Sequence, residues 1–207
     1  MAKLIRSIWA GIFIGIGATA LMGIQVPIVG SLFFALGLLT IIHLQLNLYT
    51  GAIGYLKDGL SCMDMAVIYL GNLIGTCLYG TCLKLSSLGI APTAILAKKG
   101  VLIANMPDYA FHILFASFMC GVLMYTAVAV WKETQNVFSN ALITVLCVSV
   151  FILSGFEHCI ANMVYLFAGN CNAPIADQVL FIALVTLGNS LGSIAFHRSR
   201  KLAARLA

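Results

Sequence analysis

Ser154-Gly155-Phe156-Glu157-His158-Cys159-Ile160-Ala161-Asn162-Met163 interrupts an apolar run that extends from about residue 137 to 168. Glu157 is the acid set well inside a hydrophobic stretch, and a charge at the centre of a bilayer costs roughly 2.5–3.5 kcal/mol on insertion scales. Such a cost implies a partner or a cavity. Gly155 supplies the backbone freedom to break a helix, and His158 titrates near neutrality and can donate or accept a proton. A lone histidine in an apolar helix is ordinarily a satisfied core residue. The acid beside it, the glycine before it and Asn162 one turn later point instead to a polar site at membrane depth.

The rest of the chain provides the membrane. It has 207 residues, 62% hydrophobic and 8% charged, with a mean hydropathy of +1.07; soluble domains run near about 45–50% apolar and about 25% charged. That composition excludes a soluble fold. Eleven Lys and Arg against six Asp and Glu give a formal charge of +5, but these charges sit between apolar runs, so nucleic acid is not the implied partner. Seven cysteines, an odd number, show no CxxC or Cys/His ligand spacing, so they read as small core residues with neither a disulfide framework nor a metal site. No cofactor is implied. The N-terminal run carries Lys3 and Arg6 but no clear small-residue cleavage site, and reads as a retained first helix.

Runs long enough to span a bilayer, about 20 residues each, lie near 8–26, 28–56, 65–88, 109–131, 137–168 and 178–197. The second is broken by His43, Gln45, Asn47 and Thr50, and the fifth by Gly155, Glu157, His158 and Asn162. Interrupted helices at matching places in two halves point to a transport site. The halves also share a word: Gly71-Asn72-Leu73-Ile74-Gly75 returns 117 residues later as Gly188-Asn189-Ser190-Leu191-Gly192. Three spans per half make the second copy enter the bilayer from the opposite side. The expected fold is therefore an all-α membrane protein with six transmembrane helices, forming one domain over residues 1–207. Its two inverted three-helix repeats cover roughly 1–88 and 105–200, with the second and fifth helices broken.

Connections set the orientation. With a cytoplasmic N-terminus, Lys3, Arg6, Lys57, Lys132, Arg198, Arg200, Lys201 and Arg205 lie inside and Lys84, Lys98 and Lys99 outside, which places both termini in the cytoplasm of a cell whose inner membrane the chain crosses. Lys98 and Lys99 sit in the longest connection, which carries Pro92, Pro107 and Asp108. There they either raise the local anion concentration at a pore mouth or simply solvate a loop.

The stretch Gly155 to Met163 resembles the fifth-helix signature of the formate/nitrite transporters nearly residue for residue. Leu48-Tyr49-Thr50 is similar to that family's second-helix word, and Gly-Asn-x-x-Gly in the sixth span matches too. The resemblance runs from Ala10-Gly11 to Phe196. It implies an aquaporin-like fold and a homo-oligomer, a pentamer with one pore per protomer, that passes small monovalent anions of weak acids such as formate, nitrite or hydrosulfide, with protons as partners. It implies His158 as the central histidine, Thr50 as its threonine, Asn162 as the motif asparagine, and Phe34, Leu38 and Phe151 as an apolar constriction. Lys99 stands nearest the family's outer-mouth lysine, with Lys98 an alternative, while Glu157 and Gly155 support the broken helix. Asn47 departs from the family, which often has an acid there.

Two other classes remain in view. A neutral-solute pore suits inverted halves, but paired Asn-Pro-Ala half-helices are absent. A membrane enzyme built on Glu157 and His158 lacks a nucleophile or metal cluster, and neighbouring helical residues point about 100° apart. Whether an anion crosses bare or as its neutral acid is open at this level.

Overall fold

The computed structural model describes residues 1–206. These form α1 (Ala2–Gly23), α2 (Pro27–His43), α3 (Tyr49–Ala52, continued by a 3-10 turn at Ile53–Tyr55), α4 (Cys62–Leu85), α5 (Thr93–Ala104), α6 (Met106–Glu133), α7 (Val137–Leu153), α8 (Cys159–Ala168) and α9 (Ile175–Leu206). Helices α1, α4, α6 and α9 are long and apolar enough to cross a membrane on their own. Helices α2 and α7 have 17 residues each, or about 26 Å of rise at 1.5 Å per residue, and fall short of a full crossing. Each is followed by a five-residue break and a shorter helix, α3 or α8.

Two differences from the sequence reading have simple causes. The connection bearing Lys98 and Lys99 contains α5, a twelve-residue helix that turns Leu96 and Ile103 into the protein. Hydropathy misses it because it is short and carries Lys98 and Lys99 at its centre. The outer helices also run past their apolar segments, α1 starting at Ala2 and α9 continuing through Arg198 to Leu206. Hydropathy marks where a helix is greasy, whereas backbone hydrogen bonding continues as long as the residues are good helix formers.

Packing is reciprocal. Helix α1 lies on α4 and α2, α6 lies on α9 and α7, and α2 meets α7. The short helix of each half docks on the other half: α8 on α4 and α1, α3 on α6 and α9. Glycines permit the close crossings. A Cβ at Gly75 would overlap the carbonyl oxygen of Ile8, and one at Gly192 that of Phe118, so the paired words hold α4 against α1 and α9 against α6 by backbone proximity. Leu32, Phe33 and Leu36 on α2 and Leu142, Leu146 and Val150 on α7 face outward, as contact with lipid requires. All seven cysteines are free thiols.

The ends of the bundle are unlike. One end gathers both chain termini: Lys3 pairs with Asp64, Lys201 and His197 with Asp58, and Arg200 with Glu133. The opposite end carries α5 and the Lys84–Asn170 contact.

Candidate functional site

The two helix breaks build the site. Before α8 the chain turns at Gly155, whose φ of +68° lies in the left-handed region; no atom lies within 4 Å of where its Cβ would stand, so glycine is required by conformation and not by crowding. Before α3 the corresponding place, 110 positions earlier, is Gln45, with φ +52°. A side chain there bears the strain that glycine avoids.

Each break exposes backbone groups that an asparagine from the Gly-Asn word satisfies. Asn189 Oδ1 accepts from the Cys159 N–H (2.9 Å), while its Nδ2 donates to the carbonyls of Glu157 and Ser117 (2.8 Å each). Asn72 repeats the pattern: its Oδ1 accepts from the Tyr49 N–H (2.8 Å) and its Nδ2 donates to Asn47 (2.9 Å) and Ser7 (2.8 Å). One amide thus pins the first turn of each short helix to the long helix beside it. The sequence reading took these words as marks of an internal repeat and gave the asparagines no role of their own. Their position between the two glycines, twice, was the available signal.

His158 is the N-cap of α8, and its Nδ1 accepts from the Ala161 N–H at 3.1 Å. With Nδ1 accepting, the neutral ring carries its proton on Nε2. Nε2 lies 3.0 Å from Thr50 Oγ1. Both residues are buried. The Thr50 hydroxyl receives that N–H, leaving its own hydrogen free for another acceptor. Ser193, which the sequence reading did not single out, holds Thr50 from behind, its Oγ donating to the Thr50 carbonyl at 3.0 Å.

Apolar residues close over the histidine. Phe151 lies 5.7 Å from the His158 ring between centroids and meets Phe34 edge-on at 5.6 Å. Leu38, one turn beyond Phe34, is buried in the same core. Phe34, Leu38, Phe151, His158 and Thr50 therefore come together.

Glu157, Lys99 and Asn162 form a separate group. Lys99 Nζ bonds both carboxylate oxygens, with Oε1 at 2.5 Å, and Asn162 Nδ2 donates to Oε2 at 2.8 Å. The side chains are 3% exposed for Glu157 and 15% for Lys99. This resolves the cost of a buried carboxylate. It also alters the reading of both residues: Lys99 is committed to Glu157, and the Glu157 carboxylate grips side chains while its backbone is what the break employs. Lys98 is exposed and forms no ion pair among the described residues.

Two cavities flank these groups. One, about 690 Å³ at the α5 end, is lined by Lys98, Lys99, Phe151, Gly155, Glu157, His158 and Asn162 among others. The other, about 660 Å³ at the termini end, is lined by Gln45, Asn47, Leu48, Gly51, Tyr55, Asp58 and Lys132 among others. Nine of their lining positions stand 110 residues apart, including Gln45 and Gly155, Asn47 and Glu157, Leu48 and His158, Ala52 and Asn162, and Tyr55 and Tyr165. The polar trio of one break is replaced at the other by Asn47, Leu48 and Ala52. Among the described residues, no three His, Cys, Asp or Glu gather as a metal site would need.

These features define an α-helical membrane protein with a histidine and a threonine joined between two opposed cavities. The chain belongs to the formate/nitrite transporter family, whose sequence pattern it matches over residues 1–199. It is similar to the formate channel FocA of Escherichia coli K12, 31% identical over 180 residues that cover 76% of this chain and 62% of FocA. It is 26% identical to the nitrite transporter NirC of the same organism, over 93% of this chain and 79% of NirC. Among solved structures it resembles an FNT family ion channel, with a TM-score of 0.84 and 24% identity over 98% of this chain and 90% of that one. It also resembles a pentameric formate channel with formate bound, with a TM-score of 0.72 and 21% identity over 100% and 97%.

Proposed function

We propose that the chain is a channel for small monovalent anions of weak acids, formate, nitrite or hydrosulfide, acting as a homopentamer in the inner membrane with both termini in the cytoplasm. On this reading α2 with α3, and α7 with α8, each complete one crossing. The six crossings form two inverted repeats within a single domain. The reciprocal docking of α3 and α8, the matched asparagine contacts and the matched cavity linings support that symmetry. Eight Lys and Arg at the termini end against Lys84, Lys98 and Lys99 at the other support the orientation.

The observation that carries the function is the His158–Thr50 hydrogen bond between the cavities. An anion entering at the α5 end meets Lys98, which forms no ion pair among the described residues, while Lys99 keeps Glu157 compensated. It then reaches the apolar screen of Phe34, Leu38 and Phe151, where a bare charge is costly. The Thr50 hydroxyl, polarised by the His158 Nε2–H, offers its hydrogen there. Loading a second proton on His158 would require giving up the Ala161 N–H contact, so the geometry favours hydrogen-bond donation by a neutral ring over proton transfer from an imidazolium.

Proteoliposomes containing the protein are expected to pass formate and to exclude glycerol, a neutral solute. Glycerol passage with formate excluded would replace the anion reading by a neutral-solute pore.

A further inference from the structure

The termini-end cavity lacks the polar trio of its counterpart, yet it contains a cation. Lys132, in the last turn of α6, is exposed and lines this cavity, with Nζ 3.5 Å from the centroid of the Tyr55 ring. The neighbouring acids are already occupied. Asp58, which lines the same cavity, accepts from Lys201 Nζ at 2.5 Å and faces His197 Nε2 at 2.7 Å. Glu133, next in sequence, takes two bonds from Arg200, at 2.8 and 2.6 Å. Among the described residues Lys132 itself enters no ion pair.

The basic end of α9 thus neutralises the acids around this mouth and leaves the Lys132 field uncancelled. An aromatic face holds an ammonium in place without removing its charge. The base of the side chain is fixed as well, because Trp131 Nε1 donates to Thr144 Oγ1 at 2.8 Å and ties this turn of α6 to α7. The Tyr125 hydroxyl beneath Tyr55 is committed to His197 Nδ1 at 2.9 Å, so the aromatic seat is braced from below.

We infer that Lys132, seated on Tyr55, is the docking subsite for the conducted anion at the termini mouth, where a small monovalent oxyanion or hydrosulfide rests against the ammonium before meeting Leu48. This rests on the anion-channel reading above. It makes the mouths unequal: one draws anions with Lys98 beside a compensated Lys99–Glu157 pair, the other with a cation on an aromatic ring.

The test is formate flux in membrane vesicles of defined orientation, with formate presented at either face, at low and high ionic strength. Lys132→Met, which keeps the stem on the ring, is expected to raise the half-saturation concentration about fivefold for formate at the termini face. That is the factor one unit charge exerts on another at contact in water. The effect should fall away at high salt and be absent from the α5 face, and Lys132→Arg should restore the wild-type value. Lys132→Gln, measured alongside, should behave as Lys132→Met does. Equal loss from both faces, or an unchanged half-saturation in both neutral variants, would overturn the subsite. Wild-type vesicles that pass no formate from either face would instead remove the channel reading beneath it.

Discussion

At the scale of single residues, the site depends on charges and dihedral angles with identifiable partners. The Lys99–Glu157 pair is buried, so breaking it from one side leaves an uncompensated ion, which costs about 3–5 kcal/mol. Lys99→Met is therefore expected to lower the melting temperature in detergent sharply, and Lys99→Met with Glu157→Gln to recover much of the loss. Equal melting of the single and double variants would show that the pair is not structural. Lys98→Ala should leave melting unchanged and slow formate uptake, more at low salt than at high. Gly155→Gln should destabilise the break by about 1 kcal/mol, the scale of placing a side chain in the left-handed region, and Gln45→Gly should not. His158, Thr50, Asn162 and Glu157 were legible in the sequence because polar groups at membrane depth are expensive and therefore conspicuous. The division of labour between Lys98 and Lys99 was not legible, because it depends on which face of α5 each presents, and α5 itself carries too weak a hydropathy signal to be seen.

At the scale of elements, the decisive contacts are those between each short helix and the long helix of the Gly-Asn word. Asn72 and Asn189 each satisfy two backbone groups at a break and bond a third on a neighbouring long helix, and a buried group left unpaired costs about 1–3 kcal/mol. Asn189→Leu and Asn72→Leu should both reduce the yield and melting temperature of folded protein. Asn189→Leu should also abolish flux, since Cys159, next to His158, loses its anchor. A variant that melts and conducts like the wild type would contradict this role. The breaks themselves were legible: His43 through Thr50 and Gly155 through Asn162 interrupt apolar runs that would otherwise be single helices. The asparagine anchors were hidden because a small-residue word is explained well enough by helix packing alone, and only the backbone contacts of its second residue reveal what the asparagines do.

At the scale of the whole molecule, the account predicts an oligomer and a one-sided acid sensitivity. Native mass spectrometry in mild detergent should show five copies, and a monomer with full flux would contradict the oligomer. At the termini end, hydrogen bonds from Lys201 and then His197 hold the Asp58 carboxyl down to about 2, below its ordinary value of 3.8. A depressed carboxyl stabilises the fold in full above its unfolded value and ceases to do so as pH falls through the folded one. The tie between the Asp58 loop and α9 should thus survive to about pH 4 and fail toward pH 2, and Asp58→Asn should remove that limb from an acid-unfolding curve. The repeated word pointed to two matched halves, but the inequality of the two mouths was not legible, because Lys132, Asp58 and Lys201 come from distant parts of the chain. The most direct test of the central claim is formate uptake into proteoliposomes between about pH 5 and 8, the range in which an ordinary histidine changes charge. The comparison is between wild type, His158→Phe and His158→Asn. The account predicts that His158→Phe assembles but passes no formate, because the ring's donated hydrogen is gone, and that His158→Asn, which keeps a donor, retains flux with its pH dependence lost. Flux like that of the wild type in His158→Phe, still responding to pH, would contradict it.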